Sequence, residues 1–300
     1  MANQVIGTLL AWAALACGAY AWADEAAATD TAPEGASDAG QKYDLRYKFA
    51  PGEVLRWEVV HRATVQTTIQ GTSQTAETHS KSVKHWVIDQ VADDGAITLT
   101  HSVESIDMWQ KTQGRSEVRY NSQTDKEVPP GYETAAESVG VPLTVVTMND
   151  RGKILKRVEK HSQPVSLMQL AITLPEQPVA IGESWSTPLD IDVVQKDGAT
   201  KQIKTRQKFT LEKVSTDVAT IKVDAQILTP IHDPTIEAQL IQRLSEGHLR
   251  FDIAAGRILD QQLDLDRHVI NFSGPSSSMH YLTRFTEKAL ADEATVARKP

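Results

Sequence analysis

The chain has 300 residues, 40% hydrophobic and 23% charged, enough for one large or two ordinary domains around a packed core. Lys plus Arg is 31 against Asp plus Glu at 39, giving a net charge of −8, which argues against a protein built to neutralise nucleic-acid phosphates or to lie on an anionic membrane. A single cysteine excludes a disulfide framework, a thiolate zinc site and a CxxC redox pair together.

Residues 1–23 contain no Asp, Glu, Lys or Arg. Val5 to Ala16 is apolar apart from Gly7 and Thr8, and Ala21-Trp22-Ala23 supplies a small-x-small pattern just ahead of Asp24. This is the layout of a secretory signal peptide, and it falls short of the about 20 residues a spanning helix needs. Export to the periplasm or the medium is therefore expected. Ala14-Leu15-Ala16-Cys17-Gly18 is similar to a bacterial lipobox, which implies lipidation of Cys17 and a membrane anchor; the pattern departs at Ala14, where Leu is usual. Cleavage after Ala23 would discard Cys17 instead. Residues 24–42 lack any large apolar side chain and read as a disordered linker.

From Tyr43 the period is two. Leu55, Trp57, Val59, His61, Ala63, Val65, Thr67 and Ile69 alternate with a mostly polar set, which predicts one long strand with a buried face. Gln70-Gly71 turns the chain into a return strand over 75–91, and Asp94-Gly95 into a third over 96–109. A two-residue turn there places Trp86 opposite Val103 and Ile88 opposite His101. Asp197-Gly198 predicts another hairpin, between 189–193 and 203–214. Helical signals are few: Tyr132 to Val139, Pro164 to Ile172 with its first-turn proline, and a short tail helix from Thr286.

Three segments recur in order. Ala50-Pro51-Gly52-Glu53 before Trp57 is echoed by Ala180-Ile181-Gly182-Glu183 before Trp185. Lys84 to Val91 is echoed by Gln207 to Val214, and Gly152-Lys153-Ile154-Leu155 by Gly256-Arg257-Ile258-Leu259. The organisation expected is a signal peptide (1–23), a linker (24–42), a first β unit (43–161), a connecting helix (162–174), a second β unit (175–286) and a tail (287–300). The fold class is mainly β: a curved antiparallel sheet or incomplete barrel built from two repeated hairpin units, with one or two short helices.

Leu174-Pro175-Glu176-Gln177-Pro178-Val179-Ala180-Ile181-Gly182-Glu183-Ser184-Trp185 resembles a phrase of uncharacterised secreted bacterial β-repeat proteins, in which it opens the second half. Phe251-Asp252 ahead of Gly256 is similar to a hairpin of the same group. That group implies no activity to transfer. More distantly, the plan resembles lipoprotein-carrier half-barrels that hold acyl chains on a concave face, a likeness of fold alone.

Catalytic patterns are missing: there is no GxSxG elbow, HExxH, Walker loop or GxGxxG. Of the nine histidines, His79, His85 and His101 invite a metal reading, but their strand parity sends His101 and His85 to opposite faces, His85 beside Glu104, so no metal site is assigned. No cofactor is expected. His232-Asp233-Pro234 reads as a turn and Ser273 to Ser278 as a loop. Arg151, Lys153, Lys156, Arg157 and Lys160 read as a solvated strand face rather than a nucleic-acid patch. Trp57, Trp86, Trp109 and Trp185 are core residues or, in a curved sheet, the lining of an apolar pocket. Two functions fit: a non-catalytic exported binding or carrier protein for a hydrophobic or lipid-like ligand, or a cell-envelope structural or interaction protein with a fully packed core. The expected partners are an apolar ligand or an envelope protein, not nucleic acid, and a membrane only through a lipidated Cys17.

Overall fold

The computed structural model describes residues 40–160, 171–195 and 197–291. The expected signal peptide, Cys17, nearly all of the expected linker and residues 162–170 of the expected connecting helix lie outside the described residues. Among the described residues no helix is long and apolar enough to cross a membrane.

β1 (Lys42–Tyr43) is followed by three long strands, β2 (Val54–Ile69), β3 (Thr72–Val91) and β4 (Ile97–Thr112). β5 (Val118–Asn121), helix α1 (Glu133–Glu137), β6 (Pro142–Met148) and β7 (Ile154–Glu159) come next. The second half holds β8 (Val179–Ala180), β9 (Ser184–Pro188), β10 (Ile191–Val194), β11 (Thr200–Ile203), β12 (Thr205–Ser215) and β13 (Val218–Ile227). Helix α2 (Pro234–Leu240), a 3-10 turn (Ile241–Arg243), β14 (Glu246–Asp252), β15 (Arg257–Ile270) and β16 (Ser278–Ala289) complete it.

The protein is mainly β, as its alternation requires. A 12-stranded antiparallel sheet runs β7-β6-β4-β3-β2-β16-β15-β14-β13-β12-β9, with β5 on β4. It is open, since its end strands β7 and β9 do not pair. β1 with β8 and β10 with β11 form two small sheets beside it. Leu55, Trp57 and Ala63 of β2 are buried, the face that alternation selects.

The two halves run in the same order, β7-β6-β4-β3-β2 and β15-β14-β13-β12-β9, with β16 as the seam between β2 and β15. A helix occupies the equivalent connection in each, α1 between β4 and β6 and α2 between β13 and β14. The echoed segments make matching hydrogen bonds. Gly52 N donates to Ile88 O and Gly182 N to Leu211 O, both at 2.7 Å. Ile88 N donates back to Glu53 O at 2.9 Å, and Leu211 N to Glu183 O at 3.0 Å. Each glutamate also caps its own turn, Glu53 accepting from Ala50 N and Glu183 from Ala180 N.

The segment between β1 and β2 is a strap through the main core. Tyr47 N donates to Asp150 O at 2.8 Å and Lys48 N to Gly256 O at 3.1 Å, so the strap bonds to the equivalent turns of both halves. Leu45 and Tyr47 are buried in a cluster with Trp57, Trp86, Phe209 and Phe251. The Tyr47 hydroxyl donates to Ile172 O and accepts from Ile172 N; burial pushes its phenol far above the usual range.

Several expectations are corrected. Arg151 is not part of a solvated face: it is buried, ion-paired with Asp44 at 2.7 Å and donating to the carbonyls of Leu45 and Glu176. Trp86 faces His101 and Ile88 faces Leu99, two residues from the expected register. A loop over 92–96 replaces the two-residue turn, and a bulge between Ile88 and Gln90 adds the second step. The strand expected over 203–214 breaks at Lys204 into β11 and β12. Residues 171–174, assigned to the connecting helix, are non-helical. Lys42, placed in the linker, pairs with Ala180. Thr286 to Ala289, expected as the start of a tail helix, continue β16. His232-Asp233-Pro234 is more than a turn: Asp233 caps α2 by accepting from Thr235 N at 2.9 Å, with Pro234 at its first position.

The strap sets a test of two glycines with left-handed φ. A Cβ on Gly182 meets nothing within 4 Å, whereas one on Gly152 would sit 2.3 Å from Ile172 O and 2.7 Å from Tyr47 Cε2. Gly182→Ala should cost about 1 kcal/mol, from backbone strain alone. Gly152→Ala should cost about 3 kcal/mol or more in urea unfolding, because backbone must move. Equal costs would show that the strap does not press on this turn.

Candidate functional site

The inner face of the sheet carries the main core at one end and two covered patches beyond it. Over β15, β16 and β2, Ala238 of α2 and Ile241 of the 3-10 turn pack on Ala63, Leu265, Val269 and Tyr281. The outer side of α2 carries the β10–β11 ribbon through Ile191, Val193, Ile203, Ile236 and Leu240. Over β4, Tyr120 and Tyr132 cover Ile106.

Between these covers lies a floor of small and polar side chains on β2 and β3. Val59 faces Ser82 and His61 faces Ser80. All four are half-buried, and neither Val59 nor His61 belongs to any of the four core clusters among the described residues. Across β16, Phe285 faces His61 and is buried, with half-buried Leu263 of β15 beyond it. Val65 farther along β2 is half-buried, as are Val103 and Met108 under the β4 cover. The Thr283 hydroxyl donates to Arg62 O at 2.9 Å and so accepts from His61 Nε2 at 2.8 Å. Burial lowers the pKa of His61.

A buried ion pair closes the floor toward the main core. Lys84, two residues from Ser82 on the same face, reaches Glu287 of β16 at 2.8 Å. Gln261 donates to the other carboxylate oxygen at 3.0 Å, and the ammonium stands 5.3 Å and 5.6 Å from the ring centroids of Trp57 and Trp86. Removing either charge would strand the other in the core. Beside the pair, Trp86 Nε1 and His101 Nδ1 are buried without a hydrogen-bond partner among the described residues. Burial first, and then the Lys84 charge, pushes the pKa of His101 down to about 3, so it is a neutral imidazole.

The structure separates the expected pocket tryptophans. Trp57 and Trp86 are core, 4.8 Å apart, and Trp185 packs against the same core, stacked on Phe209 at 5.5 Å. Trp109 stands on the far part of β4, stacked on His79 at 5.9 Å. His85 lies 3.4 Å from Glu104 as its parity indicates, and His79, His85 and His101 do not converge.

On the opposite face, an open groove of about 560 Å³ crosses β2, β16 and β15, lined by Arg62, Thr64, Asp264, Asp266, Leu282 and Arg284 among others. None of the four tryptophans lines it. At its rim Asp266, His268 and His280 bring their ligand atoms within 4.8 Å of one another, an arrangement among the described residues that could hold a metal. The sequence signal for it, Asp-x-His on one strand and a histidine across the hairpin, needs the β15–β16 register to be seen.

Residues 156–254 match the model of DUF6263, a family of unknown function. That span includes Leu174 to Trp185. No curated protein matches the chain. Among solved structures, one described as lipid–protein interactions in lipovitellin aligns at 13% identity and a TM-score of 0.46, over 81% of this chain and 26% of the other. The chain thus spans about a quarter of that protein's length. DynF from the dynemicin biosynthesis pathway of Micromonospora chersina aligns at 6% identity and 0.21, covering 88% and 95% of the two chains. A DUF1329 protein from Desulfovibrio piger aligns at 12% and 0.15, covering 78% and 83%.

The neutral His101 predicts a sign for acid stability. Its folded pKa of about 3 lies below the ordinary 6.5, so the unfolded chain takes up the proton first and stability falls as pH drops from 6.5 toward 3. At full effect the loss is about 1.4 kcal/mol per pH unit. His101→Phe should flatten urea-derived stability against pH by roughly that slope; an unchanged slope would mean that His101 is protonated in the fold.

Proposed function

We propose that this protein is an exported, non-catalytic binding protein that carries an apolar, acyl-chain-like ligand on the inner face of its sheet. The supporting observation is the floor itself: Val59, His61, Ser80 and Ser82 are half-buried between three covers, with half-buried Val65, Val103 and Met108 on β2 and β4. An acyl chain laid there would take apolar surface out of water at roughly 25 cal/mol per Å². Two serines in place of larger side chains leave depth for it. His61 already has a partner in Thr283 and Lys84 in Glu287, so an apolar cover would strand neither of them.

Export rests on residues 1–23, with the lipidated Cys17 as the alternative anchor. The second functional reading, a cell-envelope interaction protein, is favoured by the edge strand β7, which ends the sheet and exposes Leu155 and Val158.

Native mass spectrometry of the protein from its own host's envelope fraction, followed by denaturing mass analysis, tests both. A mass excess that disappears on denaturation, and that falls at least about tenfold in occupancy in a folded Ser82→Trp variant, is the expected result, because the indole fills the floor. No excess in the native chain, or an excess unchanged by Ser82→Trp, would move the function to the β7 edge. A mature mass beginning at Asp24 supports soluble export, and a diacyl or triacyl mass beginning at Cys17 supports the anchor.

A further inference from the structure

On the outer face, His268 of β15 and His280 of β16 are direct cross-strand partners, their rings stacked with centroids 3.8 Å apart and planes at 15°. Asp266, two residues before His268 and so on the same face, places Oδ1 2.7 Å from His280 Nε2. One ligand atom from each residue lies within 4.8 Å of the others. Asp266 and His268 are exposed and His280 is half-buried, so a cation reaches all three without opening the fold.

We propose that Asp266, His268 and His280 form a binding site for a borderline divalent cation of the Zn²⁺ class. Two imidazoles and one carboxylate suit Zn²⁺, Cu²⁺ or Ni²⁺, whereas Mg²⁺ and Ca²⁺ require oxygen ligands throughout. Tetrahedral ligands at about 2.0–2.2 Å from one ion stand about 3.3 Å apart. The 2.7 Å His280–Asp266 pair must therefore open slightly and the wider separations close, by side-chain torsions alone. Water would complete the coordination. Gln66, which faces His280 from β2, is the next oxygen donor in the same row.

Position gives the site a role. β16 is the seam of the sheet, bonded to the first half through β2 and to the second through β15. An ion held by both β15 and β16 clamps that seam on the face opposite the proposed ligand floor. It also stands at the rim of the outer groove, where Asp266 belongs to both.

The test is a calorimetric titration of the full chain with Zn²⁺ alone, in a buffer without chelating groups, with thermal unfolding in parallel. The native chain should bind one ion and unfold at a higher temperature when it is present. His268→Ala and His280→Ala, which change an exposed row and leave the inner face untouched, should each weaken binding by about tenfold or more and abolish the thermal shift. His248→Ala, which removes a histidine paired with Glu212 outside the cluster, should change neither. Co²⁺ should give visible ligand-field absorption that both variants lose. Absence of Zn²⁺ binding, or equal affinity in the native chain and the two alanine variants, would overturn the proposal.

Discussion

Everything in this fold depends on one short extended segment being buried between two turns. Tyr47 and Lys48 donate their amides to Asp150 and Gly256, which belong to equivalent turns of the two halves. Leu45 and Tyr47 then fill the space between the halves, and Arg151 fixes the segment from below through Asp44 and Leu45 O. Burial works against the Asp44 carboxylate, but the Arg46 and Arg151 guanidiniums outweigh it and hold its pKa below the usual range. With that strap in place the main core draws on both halves at once.

The same arrangement covers three parts of the inner face. The strap and residues 171–174 fill one end, α1 with β5 covers β4, and α2 with the 3-10 turn covers the far end of β2, β16 and β15. Val59, at the middle of β2, belongs to none of the hydrophobic clusters among the described residues. His61, Ser80 and Ser82 beside it are half-buried. The buried Lys84–Glu287 pair bounds this floor and joins β3 to β16 across β2, tying the seam strand to the first half.

Much of the architecture is legible in the residues. The fifteen-position alternation after Leu55 and the Gln70-Gly71 turn specify β2 and β3, because a strand with one buried face admits only one parity. The echoed Gly-Glu turns are readable because each glutamate caps the same backbone amide in its own copy. Register is not readable: bulges and a longer loop shift Trp86 from Val103 to His101, and nothing local announces an extra residue in a ladder. Arg151 escapes for a related reason, since a basic residue in a basic run gives no sign that its own guanidinium turns inward to the carbonyls of a segment 106 residues away. Asp233-Pro234 did contain a helix start, but α2 has 7 residues and owes its stability to the β10–β11 ribbon and β15 packed on either side of it. The Asp266, His268 and His280 cluster depends on pairing across a hairpin, so it exists only once the register does.

The proposed apolar ligand would lie on the floor of β2 and β3 formed by Val59, His61, Ser80 and Ser82. Photo-crosslinking with a diazirine-bearing fatty acid, mapped by peptide mass spectrometry, tests it most directly. Adducts concentrated on Val59 to His61 and Ser80 to Ser82 are the expected result. Adducts on Leu155 and Val158 of β7, or none above an unfolded control, would contradict it.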